Sequence, residues 1–392
     1  MTFSQKLARF SWTMLAATLA LVAIGTVAIW SAGNARSEAV FHEMWSSNVS
    51  TAVVGLLLLL VLAFADYRKY MGLLAIPAYV AALVFLVAVL FTGSTVYGGR
   101  RWLWFFQPSE ISKLCVLALL ASLYGSMGER MLAFRKSFWG FVLAAVLVGI
   151  PAVLILAEPD LGTALTLVPA VLVMLLAAGV WRRGLMTAVA VGAVIAFAVL
   201  GAVYEAEKPG VAPERREAIL KFVPLKPHQL KRVKVFLFPE SDIAGAGYNL
   251  RQAKISIGSG GFSGKGIGKG ETNHLKYLPQ AISMNDFIFC VWAEETGFVG
   301  SVALLALFGI LLLAGCRIAY VAQDGSGRLF ALGFTTLIFA HVYVNIAMSI
   351  GLVPITGLPL PFISSGRTFL VTVLCGLGIM QSISIHREVE QQ

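Results

Sequence analysis

Residues 227–300 are PHQLKRVKVFLFPESDIAGAGYNLRQAKISIGSGGFSGKGIGKGETNHLKYLPQAISMNDFIFCVWAEETGFVG. The stretch is basic and rich in glycine, whereas most of the sequence on either side consists of long apolar runs. It ends by placing one carboxylate, Asp286, at the start of such a run. Because ionisable groups at the edge of a bilayer are costly and are kept mainly for function, this arrangement predicts a site at a membrane surface.

The composition indicates a membrane protein. The chain has 392 residues, of which 58% are hydrophobic and only 13% are charged. Since about 20 apolar residues cross the hydrocarbon core of a bilayer, the sequence predicts an all-α polytopic protein whose single transmembrane domain covers residues 1–392. The predicted spans lie at about 10–31, 47–65, 71–92, 109–127, 139–157, 162–180, 183–203, 285–316, 329–350 and 367–386.

The distribution of basic residues predicts the orientation. With a cytoplasmic N-terminus, the inner loops contain twelve Lys and Arg residues and the short outer loops contain four. This asymmetry follows the positive-inside rule, and an even number of spans returns the C-terminus to the cytoplasm. The formal charge of +10 is then explained by basic loops that face anionic lipid. No nucleic-acid-binding module is present in the sequence, so we expect no nucleic acid partner.

The long loop at about 204–284 is extracytoplasmic in this topology. It carries thirteen basic residues and eight acidic ones if Asp286 is included, so it should attract an anion. ERREAILKF and YNLRQAKISI have helical spacing of apolar residues, which predicts two helices on the membrane surface. GSGGFSGKGIGKGET, residues 258–272, does not match a nucleotide-binding P-loop in any register. Two alternatives remain: its N–H groups and Lys265 cradle a diphosphate, or it is a plain loop.

A second polar stretch is GGRRWLWFFQPSEISK, residues 98–113. Ser109 is placed as an N-cap, and Glu110 lies in the first turn, where the helix dipole favours an anion. Lys113 shares a helix face with Glu110. Either Glu110 is a simple capping acid paired with Lys113, or the stretch forms a polar pocket in which Lys113 and Arg100 or Arg101 grip a phosphate.

Two aspartates lie at predicted span starts. Asp160 in AEPDLGTAL either caps the helix that follows or belongs to a polar site. Asp286 in MNDFIFCVWAEE has the same two alternatives. As a functional acid, Asp286 would be partly desolvated, its pKa would rise, and it could accept a proton. The span after it is predicted to be interrupted near Gly297, and no Cys/His spacing typical of a structural zinc site occurs.

Together these stretches resemble one family, the SEDS proteins (shape, elongation, division and sporulation), which are bacterial cell-wall polymerases of the RodA and FtsW group. The matching segments are GGRRW, FQPSEISK, PDLGTAL, KRVKVFLFPE, GAGYNLRQAKISIGSGGFSGKG, YLPQAISMNDFIF, AEETGFVG and GLVPITGLPLPFIS. They follow the family order from about residue 98 to 370, and LKPHQLKRVKVFLFPESD and PDLGTAL are closer to the RodA branch.

The chain departs from the family pattern in three places. Glu158 replaces the usual glutamine, and Met284 and Asn285 replace the polar pair before the aspartate. After PFIS the family tends to YGG, whereas this chain has Ser365-Gly366-Arg367. The last change adds a cation at an outer helix start and leaves the role of Ser364 open.

The resemblance implies a peptidoglycan glycosyltransferase that polymerises lipid II at the outer face of the cytoplasmic membrane, for cell elongation and shape. Undecaprenyl diphosphate would be the leaving group, and Asp286 would be the catalytic base or would hold a divalent cation, Mg²⁺ or Mn²⁺. The expected substrate-binding residues are Arg101, Glu110, Lys113, Asp160, Lys265 and Ser364.

The family also implies partners, namely a class B penicillin-binding protein and other proteins of the elongation machinery. Three alternatives stay open at this point: a lipid II flippase or transporter, an FtsW-type division polymerase, and a scaffold without chemistry. A flippase should need polar groups through the whole depth of the bilayer. Here the polar stretches concentrate at the outer side, which favours chemistry at that surface.

Overall fold

The computed structural model describes residues 2–34, 39–96, 99–104, 106–128, 131–158, 160–208, 210–223, 225–242, 245–271 and 283–387. Its long helices are α2 (Trp12–Asn34), α3 (Ala39–Phe64), α4 (Tyr67–Thr92), α5 (Pro108–Ser126), α7 (Phe138–Ala157), α8 (Leu161–Ala177), α9 (Arg182–Glu207), α13 (Ile288–Val321), α14 (Gly325–Ile350) and α15 (Arg367–Ile385). Short helices are α1 (Phe3–Arg9), α6 (Leu132–Lys136), α10 (Pro213–Leu220), α11 (Pro227–Leu237) and α12 (Ala246–Ser259).

The all-α polytopic fold predicted from the sequence is confirmed. Within the described residues, eight helices are long and apolar enough to cross a membrane. Each of the ten predicted spans corresponds to one long helix; the two outside the eight are α8, which has 17 residues, and α5, which carries the Glu110–Lys113 pair. A small hairpin of β1 (Ser94–Val96) and β2 (Gly99–Trp102) was not predicted; it lies between α4 and α5.

Helices α14 and α15 form the centre of the bundle. Helix α15 packs against α3, and α14 packs against α5, α8 and α13. Phe334 of α14 lies so close to Gly376 of α15 that a Cβ there would be 2.1 Å from its ring, so this crossing requires glycine. Large apolar side chains such as Leu73, Phe91 and Phe197 are exposed on the outer faces, as expected for helices that are surrounded by lipid.

The two chain ends lie at the same end of the bundle. The Arg9 guanidinium donates a hydrogen bond to the Arg387 carbonyl over 2.9 Å, and the Ser384 hydroxyl donates to the Arg9 carbonyl over 2.9 Å. Hydrogen bonds between Ser11 and Gln381 add to this contact. The even number of long helices predicted from the sequence therefore agrees with the structure.

Helices α10, α11 and α12 belong to the long insertion. Helices α10 and α12 are the two that the sequence predicted, whereas α11 was missed as a helix. The part of the family segment YLPQAISMNDFIF that falls within 272–282 lies outside the described residues. The described part of the insertion contains these three helices, and α12 packs on α13 and α14.

Candidate active site

Asp286 lies in a turn just before α13, and its backbone is held from two sides. The Asn345 side-chain amide donates to the Asp286 carbonyl over 3.0 Å and to the Leu358 carbonyl over 2.7 Å. The Ser364 hydroxyl donates to the Asn285 carbonyl over 2.6 Å. These bonds fix the turn, so that the half-buried Asp286 carboxylate is placed without a hydrogen bond of its own from the described residues.

The charge of Asp286 is set by burial and by three neighbours. Burial raises its pKa to about 6, Arg232 and Arg101 act against this shift, and Asp160 adds to it. Asp286 precedes the spanning helix that begins at Ile288, at the surface end of the bundle. A carboxylate with this pKa is ionised at neutral pH and is a stronger base than an ordinary aspartate.

Arg232 of α11 is the functional residue that the sequence reasoning missed. Its Nη1 donates to the Thr356 carbonyl over 2.8 Å. Gly357 has a φ of +74°, and a Cβ there would lie 3.5 Å from Asp286 Oδ2 and 4.0 Å from Arg232 Nη2. Asp286 and Arg232 thus face the same space above Gly357. The only sequence signal was one arginine within KRVKVFLFPE, a segment noted for its resemblance and not for this side chain.

Asp160 and Arg101 also belong to this site, since the charges of both act on Asp286. Asp160 caps α8 by accepting hydrogen bonds from the Thr163 N–H over 3.1 Å and the Thr163 hydroxyl over 2.8 Å. It also accepts a bond from the Gln107 amide over 3.1 Å. Arg101 donates through Nε to the Glu158 carbonyl over 3.2 Å. Asp160 is therefore both a helix cap and a charge that acts on Asp286.

Glu158, where the chain departs from the family that it resembles, is a buried acid close to Asp160. Neither of its carboxylate oxygens has a hydrogen-bond partner in the described part of the chain. Burial, followed by the nearby Asp160 charge, raises its pKa to about 8. Glu158 is consequently protonated at neutral pH, and it resembles in charge the glutamine that is usual at this position.

Glu110 and Lys113 form a buried ion pair beneath the site. Lys113 Nζ lies 2.8 Å from Glu110 Oε2 and 2.9 Å from His341 Nε2, and neither Glu110 nor Lys113 is more than 3% exposed. Lys113 Nζ also lies 5.2 Å from the centre of the Phe369 ring. The predicted pairing is present and gains an unexpected histidine, whereas direct contact of this pair with substrate stays a prediction.

Lys265 is not brought to Asp286. Its ammonium lies 2.8 Å from Glu294 Oε1, and Glu294 is eight residues beyond Asp286, about 12 Å along a helix. The N–H groups of Lys265 and Gly266 donate to the Glu294 and Glu295 carbonyls over 3.0 and 2.9 Å.

The glycine segment is held at a predicted interruption of α13. That helix breaks at Gly297, whose φ is +68°, and the Phe298 N–H donates to the Gly261 carbonyl over 2.9 Å. The Gly268 N–H donates to the Ser31 hydroxyl over 3.0 Å. Because N–H groups of this segment bind protein acceptors, the segment has a structural role. Contact of Lys265 with a diphosphate stays a prediction.

An apolar cavity of about 770 Å³ opens between α3, α4, α5 and α15. Thr368 lines it and accepts a hydrogen bond from the Gln107 N–H over 3.2 Å, and Gln107 in turn binds Asp160. Arg367, another departure from the family that the chain resembles, also lines it and donates to the Ser47 hydroxyl over 3.3 Å. The cavity thus adjoins the polar site and is lined mainly by Val54, Phe85, Phe106, Ile111, Leu114 and Val371.

Metal ligands are incomplete at this site. Across the described ranges there is no group of three or more His, Cys, Asp or Glu residues that could hold a metal ion. Asp286 and Asp160 face two arginines, which already offset their charge. The residues that are described therefore do not fit a cation held by the protein alone.

The cell cycle protein family model of FtsW, RodA and SpoVE matches residues 11–389. The chain belongs to this family. Among its FtsW/RodA/SpoVE relatives, the peptidoglycan glycosyltransferase MrdB of Escherichia coli K12 is 36% identical over 382 residues, which cover 96% of this chain and 94% of MrdB.

Two solved structures of family members share the fold. One, from a peptidoglycan synthase complex that coordinates polymerization and crosslinking, has a TM-score of 0.74 at 30% identity over 96% of this chain and 97% of that one. The rod shape determining protein RodA of Thermus thermophilus has a TM-score of 0.66 at 28% identity over 97% of this chain and 98% of that one. The family resemblance seen in the sequence is confirmed.

Proposed function

We propose that this protein is a peptidoglycan glycosyltransferase that polymerises lipid II at the outer face of the cytoplasmic membrane. The observation that carries the proposal is the Asp286 carboxylate, which accepts no hydrogen bond from the described residues and faces Arg232 and Arg101 beside an apolar cavity. The similarity to MrdB, which is named a peptidoglycan glycosyltransferase, supports the same activity.

In the proposed reaction, Asp286 removes the proton from the attacking hydroxyl of the acceptor sugar. The hydroxyl oxygen forms a bond to the anomeric carbon of the donor, and the bond from that carbon to the diphosphate breaks. The diphosphate leaves with the electron pair. Arg232 and Arg101 are placed to stabilise the charge that develops on it, since fixed cations act strongly in a partly dehydrated site.

Other residues near the site hold Asp286 and the surrounding helices in position. Asn345 and Ser364 hold the turn that carries Asp286, because their side-chain groups bind backbone atoms and not the open space. The buried pair of Glu110 and Lys113, with His341, fixes α5 against α14. Asp160 orients Gln107 and raises the basicity of Asp286. Lys265 stabilises the break in α13 and takes no part in the chemistry.

The apolar cavity is the proposed site for the polyprenyl chain of a lipid-linked sugar. Its position between helices gives a hydrocarbon chain access from the bilayer, and its walls are mainly apolar. Burial of such a chain contributes about 0.8 kcal/mol per CH₂ group. A divalent cation, Mg²⁺ or Mn²⁺, held by Asp286 together with diphosphate oxygens stays a prediction and is assigned no step.

We also propose the membrane orientation of the enzyme and its protein partners. The adjacent chain ends lie at the cytoplasmic face, because the basic loops are on that side. The partner is a class B penicillin-binding protein, supported by the similarity to a chain from a peptidoglycan synthase complex. Further elongation-machinery proteins join it, and the RodA-like segments favour elongation over FtsW-type division.

The test is polymerisation by the purified protein with its cognate transpeptidase and lipid II. Wild type should produce glycan polymer, and Asp286→Ala should produce none. Scrambling of lipid II across vesicles without polymer would contradict the proposal and favour a flippase. Equal polymer from wild type and Asp286→Ala would favour a scaffold, with the chemistry performed elsewhere in the complex.

A further inference from the structure

A second pocket, of about 480 Å³, lies across the bundle from the active site. Helix α8 begins next to Asp160 and ends at Ala177, so about 26 Å of helix separates the two regions. The pocket is formed where α6 meets the turn between α8 and α9, and it is lined by Lys136, Gly179, Trp181, Arg182 and Arg183.

The cations of this pocket have no counter-charge among the residues that the structure describes. Lys136, Arg182 and Arg183 are exposed, and none forms an ion pair with a carboxylate of the described residues. Arg182 and Arg183 are also the first two residues of α9, whose first turn holds no acid. The helix dipole is positive there and disfavours added cations. Three cations from two elements therefore converge on one concavity, and no described carboxylate pairs with them.

The pocket has a fixed aromatic wall. The Trp181 ring lies edge-on to Phe138 at 5.7 Å and to Phe141 at 5.9 Å. A Cβ at Gly184 would lie 2.2 Å from that ring, so Trp181 folds directly over the start of α9. Trp139 beside it is 67% exposed. Tryptophan is enriched at the depth of lipid headgroups, which places the pocket at the membrane interface.

Helix α9 continues from this pocket along the lipid. Of its 26 residues, only four are buried, and they lie near its two ends: Gly184, Leu185, Val203 and Ala206. The apolar central part, which includes Val194 and Phe197, is exposed. A molecule with an anionic head in the pocket would thus have apolar protein surface available for its chains.

We propose that this pocket binds the phosphate of an anionic phospholipid in the leaflet opposite the active site. The three cations contact the headgroup, and the acyl chains lie along the exposed face of α9. A zwitterionic headgroup brings its own cation, which the pocket would repel. A soluble phosphate lacks the chains that α9 contacts. The bound lipid would tie the loosely packed α9 to the corner between α6 and α7.

Native mass spectrometry of the full chain in detergent tests this proposal, with phosphatidylglycerol and phosphatidylcholine as probes. Each basic residue near a lipid surface contributes about fivefold to binding of anionic lipid. We therefore expect R182Q/R183Q to weaken phosphatidylglycerol binding about 25-fold. The matched control R215Q/K221Q removes two exposed cations of the insertion and should leave binding unchanged.

Lys136→Gln, on a different element, should weaken binding about fivefold and guards against a folding defect of the double variant. Phosphatidylcholine should bind wild type, R182Q/R183Q and Lys136→Gln equally weakly. Equal phosphatidylglycerol binding by wild type and R182Q/R183Q would overturn the proposal. So would displacement of the lipid by millimolar inorganic phosphate, which would assign the pocket to a soluble anion.

Discussion

Asp286 and Glu294 lie eight residues apart and are surrounded very differently. Glu294 is 1% exposed; its Oε1 is 2.8 Å from Lys265 Nζ and accepts the Glu271 N–H over 3.0 Å, and its Oε2 accepts the Ser256 hydroxyl over 3.2 Å. Asp286 is half-buried, and its carboxylate accepts no hydrogen bond from the described residues. Both carboxylate oxygens of Glu294 therefore have hydrogen-bond donors from the protein, whereas the Asp286 carboxylate has none among the described residues.

This difference in hydrogen bonding indicates a structural role for Glu294 and a chemical role for Asp286. A buried carboxylate with several donors has its negative charge stabilised and is a poor base, because those bonds favour the ionised form. Asp286 is held through its backbone carbonyl and its neighbour Asn285, so its oxygens stay available. The fixed backbone positions the base, and its carboxylate oxygens stay free of hydrogen bonds from the described residues, so a bound hydroxyl can donate to them.

The largest effect is expected for Asp286→Asn. The amide keeps the size and the backbone contacts of Asp286 but cannot accept the proton, so polymerisation should fall by about 10²–10⁴-fold. The measurement is the initial rate of lipid II polymerisation by the complex with its transpeptidase, with thermal stability as control. A variant that keeps more than a tenth of the wild-type rate would remove Asp286 from the role of base.

Arg232→Gln should cost about 10²-fold, since loss of one donor to a developing oxyanion has an effect of this size. It should also change the pH profile. The rate of wild type should rise with pH around 6, where Asp286 loses its proton. Arg232 lowers the pKa of Asp286, so its removal raises that pKa and should move the acid limb to higher pH. An unchanged limb would show that Arg232 does not act on Asp286.

The fold and half of the site could be predicted because their signals are local. Apolar length identified all ten long helices, and an acid at the start of a span identified Asp160 and Asp286. Arg232 was missed because its role depends on α11 lying over Thr356, which is 124 residues away in the chain. No local pattern distinguishes it from Lys231, which instead lies 3.3 Å from Asp242.

The pairing of Lys265 could not be predicted for a related reason. A lysine among glycines suggested an anion site, but the anion it binds is Glu294 of the protein itself. Glu294 lies inside a predicted span, and no local pattern in the sequence links it to Lys265. The pairing needs the break in α13 at Gly297, and the sequence predicted that break without indicating what would fill it.

Gly357→Ala should have a smaller effect, about tenfold on rate. The alanine methyl would occupy the space that Asp286 and Arg232 share, and φ of +74° costs an alanine on the order of 1 kcal/mol or more. Gly210→Ala is the matched control, because Gly210 has a φ of +87° with no atom within 4 Å of the added Cβ. Similar rates for the two variants would mean that backbone strain, and not the filled space, causes the loss.

The smallest effect on rate is expected for Glu294→Gln, which tests the other side of the comparison. The specific activity of folded protein should stay within about twofold of wild type, because Glu294 contacts no reacting group. Stability should fall instead, since the Lys265 bond loses its charge; a charge-assisted hydrogen bond contributes about 1.5–3 kcal/mol. Lys265 is 24% exposed, so about 1–2 kcal/mol is expected after solvent screening.

The control for Glu294→Gln is Glu240→Gln, which disrupts the exposed ion pair with Arg251 and should cost at most about 1 kcal/mol. Thermal unfolding in detergent and polymerisation rates, measured on the same preparations, separate the two properties. The comparison would fail if Glu294→Gln lowered the rate as much as Asp286→Asn and left the melting temperature unchanged. A carboxylate whose oxygens are all hydrogen-bonded by the protein could then still be catalytic. The glycine segment would in that case have to be counted as part of the active site.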